Sequence, residues 1–253
     1  MQGTSGPKHL HHVLAHLRFM LLDEDQCIFV HGNGPDFVML FTCVDNLLLT
    51  GASNKAIMQV KRKLQQLPHE AKQGKPVLDI NALGPTGAFF SIVFSKIESG
   101  ILVCQSNYMD VALRKFPKCV FWVTMPISAM QSKASGSDML SPSGTKLYQP
   151  LLDLLVHFAT VSCPDLAYTV SFAAWYASMP AIMHLKALHQ TLLILAKTCM
   201  LRFAFHKTGE PHFGLTVYVD AFYADDVETR RTTSGLIILV SSVVVSWVPC
   251  HQP

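Results

Sequence analysis

Hydrophobic positions along the chain change period several times, and each change marks an element. Near the N-terminus, Val13, Leu14, Leu17 and Met20 recur at helical spacing and predict a helix within residues 1–20. Residues 27–30 are a short apolar run and predict a strand. The cluster His31-Gly32-Asn33-Gly34-Pro35-Asp36 is turn chemistry. Residues 37–42 and 47–50 read as two further strands, with Val44, Asp45 and Asn46 at the tip between them. Ser53 stands where an N-cap is needed, and 54–67 places Ile57, Val60, Leu64 and Leu67 on one helical face. Pro68 ends that helix.

Farther on, Gly84-Pro85 marks a turn, 88–94 is apolar enough for a buried strand, and 100–103 predicts another. A helix is expected from Ser106 through Phe116. Ser and Gly are frequent in 130–145, which reads as a linker. Residues 147–200 are helical in composition, broken at Cys163-Pro164-Asp165 and at Pro180. From Leu215 the strand pattern returns, over 215–220, 236–240 and 243–248. No internal repeat is visible.

Composition narrows the class. Half of the 253 residues are apolar and 15% are charged, against an average of about 25% charged. Global disorder is excluded, and there is core enough for one large domain or two small ones. The net charge of +3 is too small to name a partner. Seven cysteines without a Cys-x-x-Cys pair, and no apolar leader, point to reduced thiols in the cytoplasm or nucleus. Residues 166–185 and 232–253 lack Asp, Glu, Lys and Arg and approach the ~20 residues of a membrane span. A membrane-associated chain is therefore a lesser alternative. Pro180 and His184 in the first stretch, and Pro249 and His251 in the second, argue against it. The Val-Val-Val run before Ser246-Trp247 reads better as a buried strand, so no membrane partner is expected.

The segment with the most chemistry is 41–51. An acidic hairpin tip between apolar strands can hold a divalent metal, because the strands fix the tip and carboxylates are hard oxygen ligands. Two-metal nucleotidyl transfer, with Mg²⁺ ions about 3.5–4 Å apart, needs at least two carboxylates. This tip has one, Asp45, beside an amide, Asn46. Taken alone, it also has the composition of a turn built on Asx chemistry. Lys55, Lys61, Arg62 and Lys63 on the following helix suit a nucleic-acid backbone, and equally suit a solvated face.

Other constellations favour plain readings. His12 and His16 have the i, i+4 spacing of helical zinc ligands, within the cluster His9, His11, His12 and His16. No Glu lies between them and no third ligand is evident. Asp225, Asp226 and Glu228 read as a turn before a metal site. Trp175 and Tyr176 read as core before a base-stacking platform. No Gly-x-Ser-x-Gly elbow argues for a hydrolase.

From about Leu22 onward, several segments in order resemble the reverse transcriptase of copia-type retrotransposon polyproteins. Residues 22–29 are similar to the strand before that family's active-site hairpin. Val44-Asp45-Asn46 and the run to Gly51 resemble its Tyr-Val-Asp-Asp hairpin and following strand. Ala82-Leu83-Gly84-Pro85 with Phe89, Phe90 and Ile92 looks like its Asp-Leu-Gly-Pro unit, and 100–108 like its Gly-Ile-x-Leu-x-Gln-x-x-Tyr segment. Tyr148 to Leu152, Cys163 to Ala167, and Pro180 with His184 and Ala187 resemble its connection. Val219-Asp220-Ala221 with Asp226, Arg230 to Gly235 and Ser246-Trp247 resemble the opening of its ribonuclease H domain.

The resemblance implies an α/β (α+β) chain in three parts. These are a partial polymerase palm and thumb over 1–130, a linker and helical connection over 131–214, and a truncated ribonuclease H-like start over 215–253. It implies RNA-directed DNA synthesis as the family activity, an RNA or DNA template–primer as partner, and Mg²⁺ as cofactor. Asp45 and Asn46 take the catalytic positions, Asp220 the first ribonuclease H carboxylate, and Asp45 and Asp220 would be metal ligands. Departures weaken this. The family's first catalytic Asp has no counterpart in 1–40, where Asp23, Asp25 and Asp36 sit in other contexts. Cys43 replaces the hairpin Tyr, Asn46 the second Asp, Phe222 an acidic residue, Asp153 a Gly and Cys163 an Arg. A degenerate copy with its polymerase activity lost is the expectation. A non-catalytic nucleic-acid-binding remnant using the basic helix is the alternative. Both ends are expected to cut through sheets, and strands left without neighbours invite association.

Overall fold

The computed structural model describes residues 6–44, 46–66, 84–85, 87–117, 138–198, 203–206, 214–224 and 230–252, with the side chains of 6–9 and 251 excepted. The chain forms two compact units, Met1–Thr86 and Gly87–Pro253. The architecture is mixed α and β, and among the described residues the sheets are antiparallel.

The first unit runs α1 (Gly6–His16), β1 (Met20–Leu21), β2 (Ile28–His31), β3 (Val38–Cys43), β4 (Asn46–Gly51) and α2 (Asn54–Gln65). Its strands form a meander in the order β1-β2-β3-β4. The first helix ends earlier than its apolar spacing predicts. Phe19 N–H reaches back to Leu14 O and Arg18 N–H to Ala15 O, both at 2.9 Å, with Arg18 at φ 61°. These are the two bonds of a Schellman stop, sealed by the buried Leu14 and Phe19. Met20 therefore belongs to a strand.

Helix α2 starts as expected. Ser53 Oγ accepts from Ala56 N–H at 3.1 Å and donates to Pro35 O, so one hydroxyl caps the helix and ties it to a loop. Ala56, Val60 and Leu64 turn inward and meet Leu14, Phe29, Val38 and Leu40. Gly51 is required where β4 ends, because a Cβ there would lie 2.7 Å from Phe37 O. Pro68 lies outside the described residues.

The second unit holds β5 (Ala88–Phe89), β6 (Ile92–Ile97), β7 (Gly100–Cys104), α3 (Ser106–Lys115), α4 (Pro142–Val161), α5 (Ala167–Trp175), α6 (Ile182–Thr198), β8 (Phe203–His206), β9 (Leu215–Phe222), β10 (Thr233–Val240) and β11 (Val243–His251). The single strand expected over 88–94 is a hairpin instead. Phe90 and Ser91 both have positive φ and make a two-residue turn between Phe89 and Ile92. Strand β8 pairs with β7, giving the order β5-β6-β7-β8. The contact is close: a Cβ on Gly100 would collide with Phe205 O, so only glycine fits.

Helix α4 begins inside the stretch expected as linker. Ser141 caps it by accepting from Gly144 N–H at 3.3 Å, and Pro142 occupies its first turn. Helices α3 to α6 enclose the core, centred on Tyr148, Leu151, Leu155, Phe158, Leu188 and Leu192. Tyr148 is fully buried and its hydroxyl donates to Ala173 O at 2.7 Å. Burial foremost, with Tyr176 adding to it, pushes that phenol well above its ordinary pKa. His184 is equally buried, and its Nδ1 accepts from Ala181 N–H at 3.0 Å. It thereby closes the start of α6 as a third-position residue does in a capping box. Strands β9 to β11 form a separate sheet in the order β11-β10-β9. Trp247 fastens it to the helices by donating from Nε1 to Ala159 O.

Candidate functional site

In the first unit, β3 and β4 form a tight hairpin whose last pair is Cys43 and Asn46. Two residues remain for the turn. One is Val44, at φ 50° and 89% exposed. A β-branched residue in the left-handed region is strained, so the tip is held by the strands rather than by local preference. The other is Asp45, which lies outside the described residues. Asn46 is exposed at the first position of β4.

The chain leaves the tip along β4 and reverses at Ala52-Ser53, and α2 packs back over β3 and β4. Lys55 and Arg62, seven residues apart, lie on the helix face opposite Ala56, Val60 and Leu64. Lys63 flanks them, and Lys61, on the other side, is half-buried. No ion pair joins any of the four to another described residue. The first unit thus carries both Asn46, on β4, and a cationic helix.

Asp220 lies in the second unit, on β9 opposite Gly235. It is exposed, and its Oδ1 accepts from Ala221 N–H at 2.8 Å. It borders a cleft of about 620 Å³ between α5 and the last sheet, walled by Tyr168, Phe222, Ile237, Trp247 and Pro249. The walls are mostly apolar. Asp225, Asp226 and Glu228 lie outside the described residues.

Among the described residues, the donor chemistry does not make a two-metal centre. Asn46 offers a neutral amide, and Asp220 already uses one oxygen on its neighbour's amide. Among the described residues, no three His, Cys, Asp or Glu side chains are grouped to hold a metal ion. His12 and His16 do meet, Nε2 to Nε2 at 3.1 Å, as an exposed pair. Trp175 and Tyr176 pack with Phe172. Among the described residues, no helix is long and apolar enough to cross a membrane.

The strand expected over 215–220 forms as β9. All eight residues of β9 are exposed. The signal was present, because Leu215, Val217 and Val219 on one face and Tyr218 and Phe222 on the other make the strand apolar on both sides. Such a strand ordinarily lies inside a sheet, not at its edge.

Comparison with known proteins gives a consistent set of relatives. The chain is 25% identical over 94% of its length to the retrovirus-related Pol polyprotein from transposon RE1 of Arabidopsis thaliana, but spans only 15% of that polyprotein. It is 23% identical over 85% of its length to an uncharacterized mitochondrial protein of Arabidopsis thaliana, and covers 83% of it. It is also 34% identical, over 40% of its length, to a secreted RxLR effector protein of Plasmopara viticola, covering 69% of that protein. No family model matches the chain, and no solved structure does.

Proposed function

We propose that this chain, a transposon-derived relative of the copia-type retrotransposon Pol polyproteins, descends from the region where a reverse transcriptase passes into a ribonuclease H and carries no polymerase activity of its own. The observation behind this reading is the hairpin tip. Cys43 and Asn46 close a strained two-residue turn at the place where the family resemblance puts two adjacent carboxylates. Asn46 keeps the shape of an aspartate and loses its charge. A pair of divalent cations carries four positive charges, and one carboxylate at Asp45 leaves most of them uncompensated. In this reading the first unit and the early part of the second are remnants of the palm and thumb. The helices are the connection, and β9 to β11 are the opening strands of the ribonuclease H, with Asp220 its surviving carboxylate.

Primer extension on a poly(rA)–oligo(dT) template, with Mg²⁺ and then Mn²⁺, tests the proposal. No incorporation above background is expected. Incorporation that disappears in Asp45→Ala would overturn it.

A second reading is favoured by the cationic face of α2. There the chain binds single-stranded nucleic acid through Lys55, Lys61, Arg62 and Lys63 without catalysis. Four phosphate contacts give an affinity that falls roughly 50-fold between 50 and 200 mM salt. Fluorescence anisotropy with a labelled oligonucleotide checks this, and Lys55→Glu with Arg62→Glu should abolish it. Salt-independent binding would reject it.

A further inference from the structure

We propose that His12 and His16 form a two-imidazole chelating site for one divalent transition-metal ion, Cu²⁺ or Ni²⁺. The pair lies on α1 at i, i+4, and both side chains are exposed. Val13 and Leu14, between them in sequence, are buried, and Leu14 joins the core of the first unit. One face of the helix is therefore held and the other carries the pair. His11 does not join it, because its ring packs edge-on against Phe29 with centroids 5.0 Å apart.

The geometry of the two rings suits a shared ion. Their Nε2 atoms are 3.1 Å apart, while the ring centroids are 4.6 Å apart with planes crossed at 82°. The rings therefore converge on their Nε2 ends. An ion at the usual ~2.0–2.1 Å from each nitrogen would see the pair at an angle of about 95–102°. That is near the right angle between neighbouring ligands of a tetragonal ion, and short of the ~109° of a tetrahedral one. Imidazole nitrogens in this arrangement favour Cu²⁺ or Ni²⁺ over Zn²⁺. The crossed planes also let two adjacent imidazoles bind without stacking their edges into each other.

The backbone is already in place for chelation. The bonds from Phe19 N–H to Leu14 O and from Arg18 N–H to Ala15 O fix the turn that carries His16. Binding then orders two side chains and no backbone, so the second imidazole binds as an intramolecular ligand. Without metal, the contact is an N–H···N hydrogen bond in which one ring must present its proton at Nε2. With metal, both rings carry the proton on Nδ1 and offer both Nε2 lone pairs. Two protein ligands leave the other coordination positions to water, which makes an open, exchangeable site rather than a closed structural one.

Ni²⁺ is the probe for the test, because Cu²⁺ oxidises thiols and Cys27 is exposed. Calorimetric titration of the full chain with Ni²⁺, at neutral pH in a non-coordinating buffer, should show a site that His12→Ala and His16→Ala each weaken at least about tenfold. His11→Ala should leave it unchanged. His12→Gln keeps a polar side chain on the helix and should weaken the site as much as His12→Ala does. Ni²⁺ should also raise the urea midpoint of the full chain, and lose that effect when both His12 and His16 are alanine. Circular dichroism of the metal-free variants should stay unchanged, because both side chains are exposed. A full chain that takes up no Ni²⁺ would overturn the proposal. So would an affinity indifferent to the His12 and His16 variants, or one that falls with His11→Ala instead.

Discussion

Strands β3 and β9 are built from similar residues and meet opposite fates. β3 reads Val-Met-Leu-Phe-Thr-Cys and β9 reads Leu-Thr-Val-Tyr-Val-Asp-Ala-Phe. β3 has β2 on one side, β4 on the other, and α2 across one face. Its Val38 and Leu40 are fully buried. Among the described residues β9 has one neighbouring strand, and all eight of its own residues are exposed. Burying a Val, Leu or Phe side chain is worth about 1.5–3 kcal/mol, and β9 leaves that stabilisation unrealised in the single chain. Hydrophobic sequence supplies the demand for cover. The cover itself comes from wherever the rest of the chain happens to lie.

The sharpest way to break this contrast is to truncate one residue on each strand. Leu40→Ala should cost about 3 kcal/mol, as large-to-small changes in a packed core do. Val219→Ala should cost less than about 0.5 kcal/mol at dilute protein. Urea unfolding of both variants measures the difference, and equal losses would show that β9 is covered within one chain. Next comes Trp247→Phe, which keeps the ring and deletes the donor to Ala159 O. A loss of about 1–2 kcal/mol is expected, with faster amide exchange in β10 and β11 and none in β2 to β4.

A smaller effect of opposite sign is expected at the hairpin tip. Val44→Gly relieves the left-handed strain and should stabilise the first unit by about 1 kcal/mol, read as a higher midpoint in urea. The smallest effect concerns acid. His157 and His189 are both held below their ordinary pKa of ~6.5 by burial. The unfolded chain then binds more protons than the folded one, so stability is present above that value and falls as pH drops through it. Unfolding midpoints at neutral and mildly acidic pH should show a modest loss at low pH. His157→Gln with His189→Gln should flatten the slope.

Legibility differed from element to element for local reasons. Helix α2 was readable because Ser53 and the apolar spacing agree on its start and its buried face. The start of α4 carried a comparable signal, Ser141 followed by Pro142, but the surrounding Ser and Gly masked it. The hairpin of β5 and β6 was hidden because Phe90 and Ser91 make a turn that usually advertises itself with Asn-Gly. β8 is four residues long and gains its identity only by pairing with β7. Of the candidate site, the cationic helix was legible as a pattern. That Lys61 is half-buried was not, because the packing of α2 on β3 and β4 decides it.

The amino-acid sequence by itself determined the order and kind of most elements, the caps, and the kinship with retrotransposon polyproteins, because periodicity and short motifs are local properties. Only the tertiary structure decided which apolar strand is covered and which is bare. It also decided that Tyr148, His184 and Trp247 serve as anchors of packing, and that β9 is exposed along its whole length. Burial and strand pairing are made between residues far apart in the chain, and no stretch of sequence states which neighbours it will have.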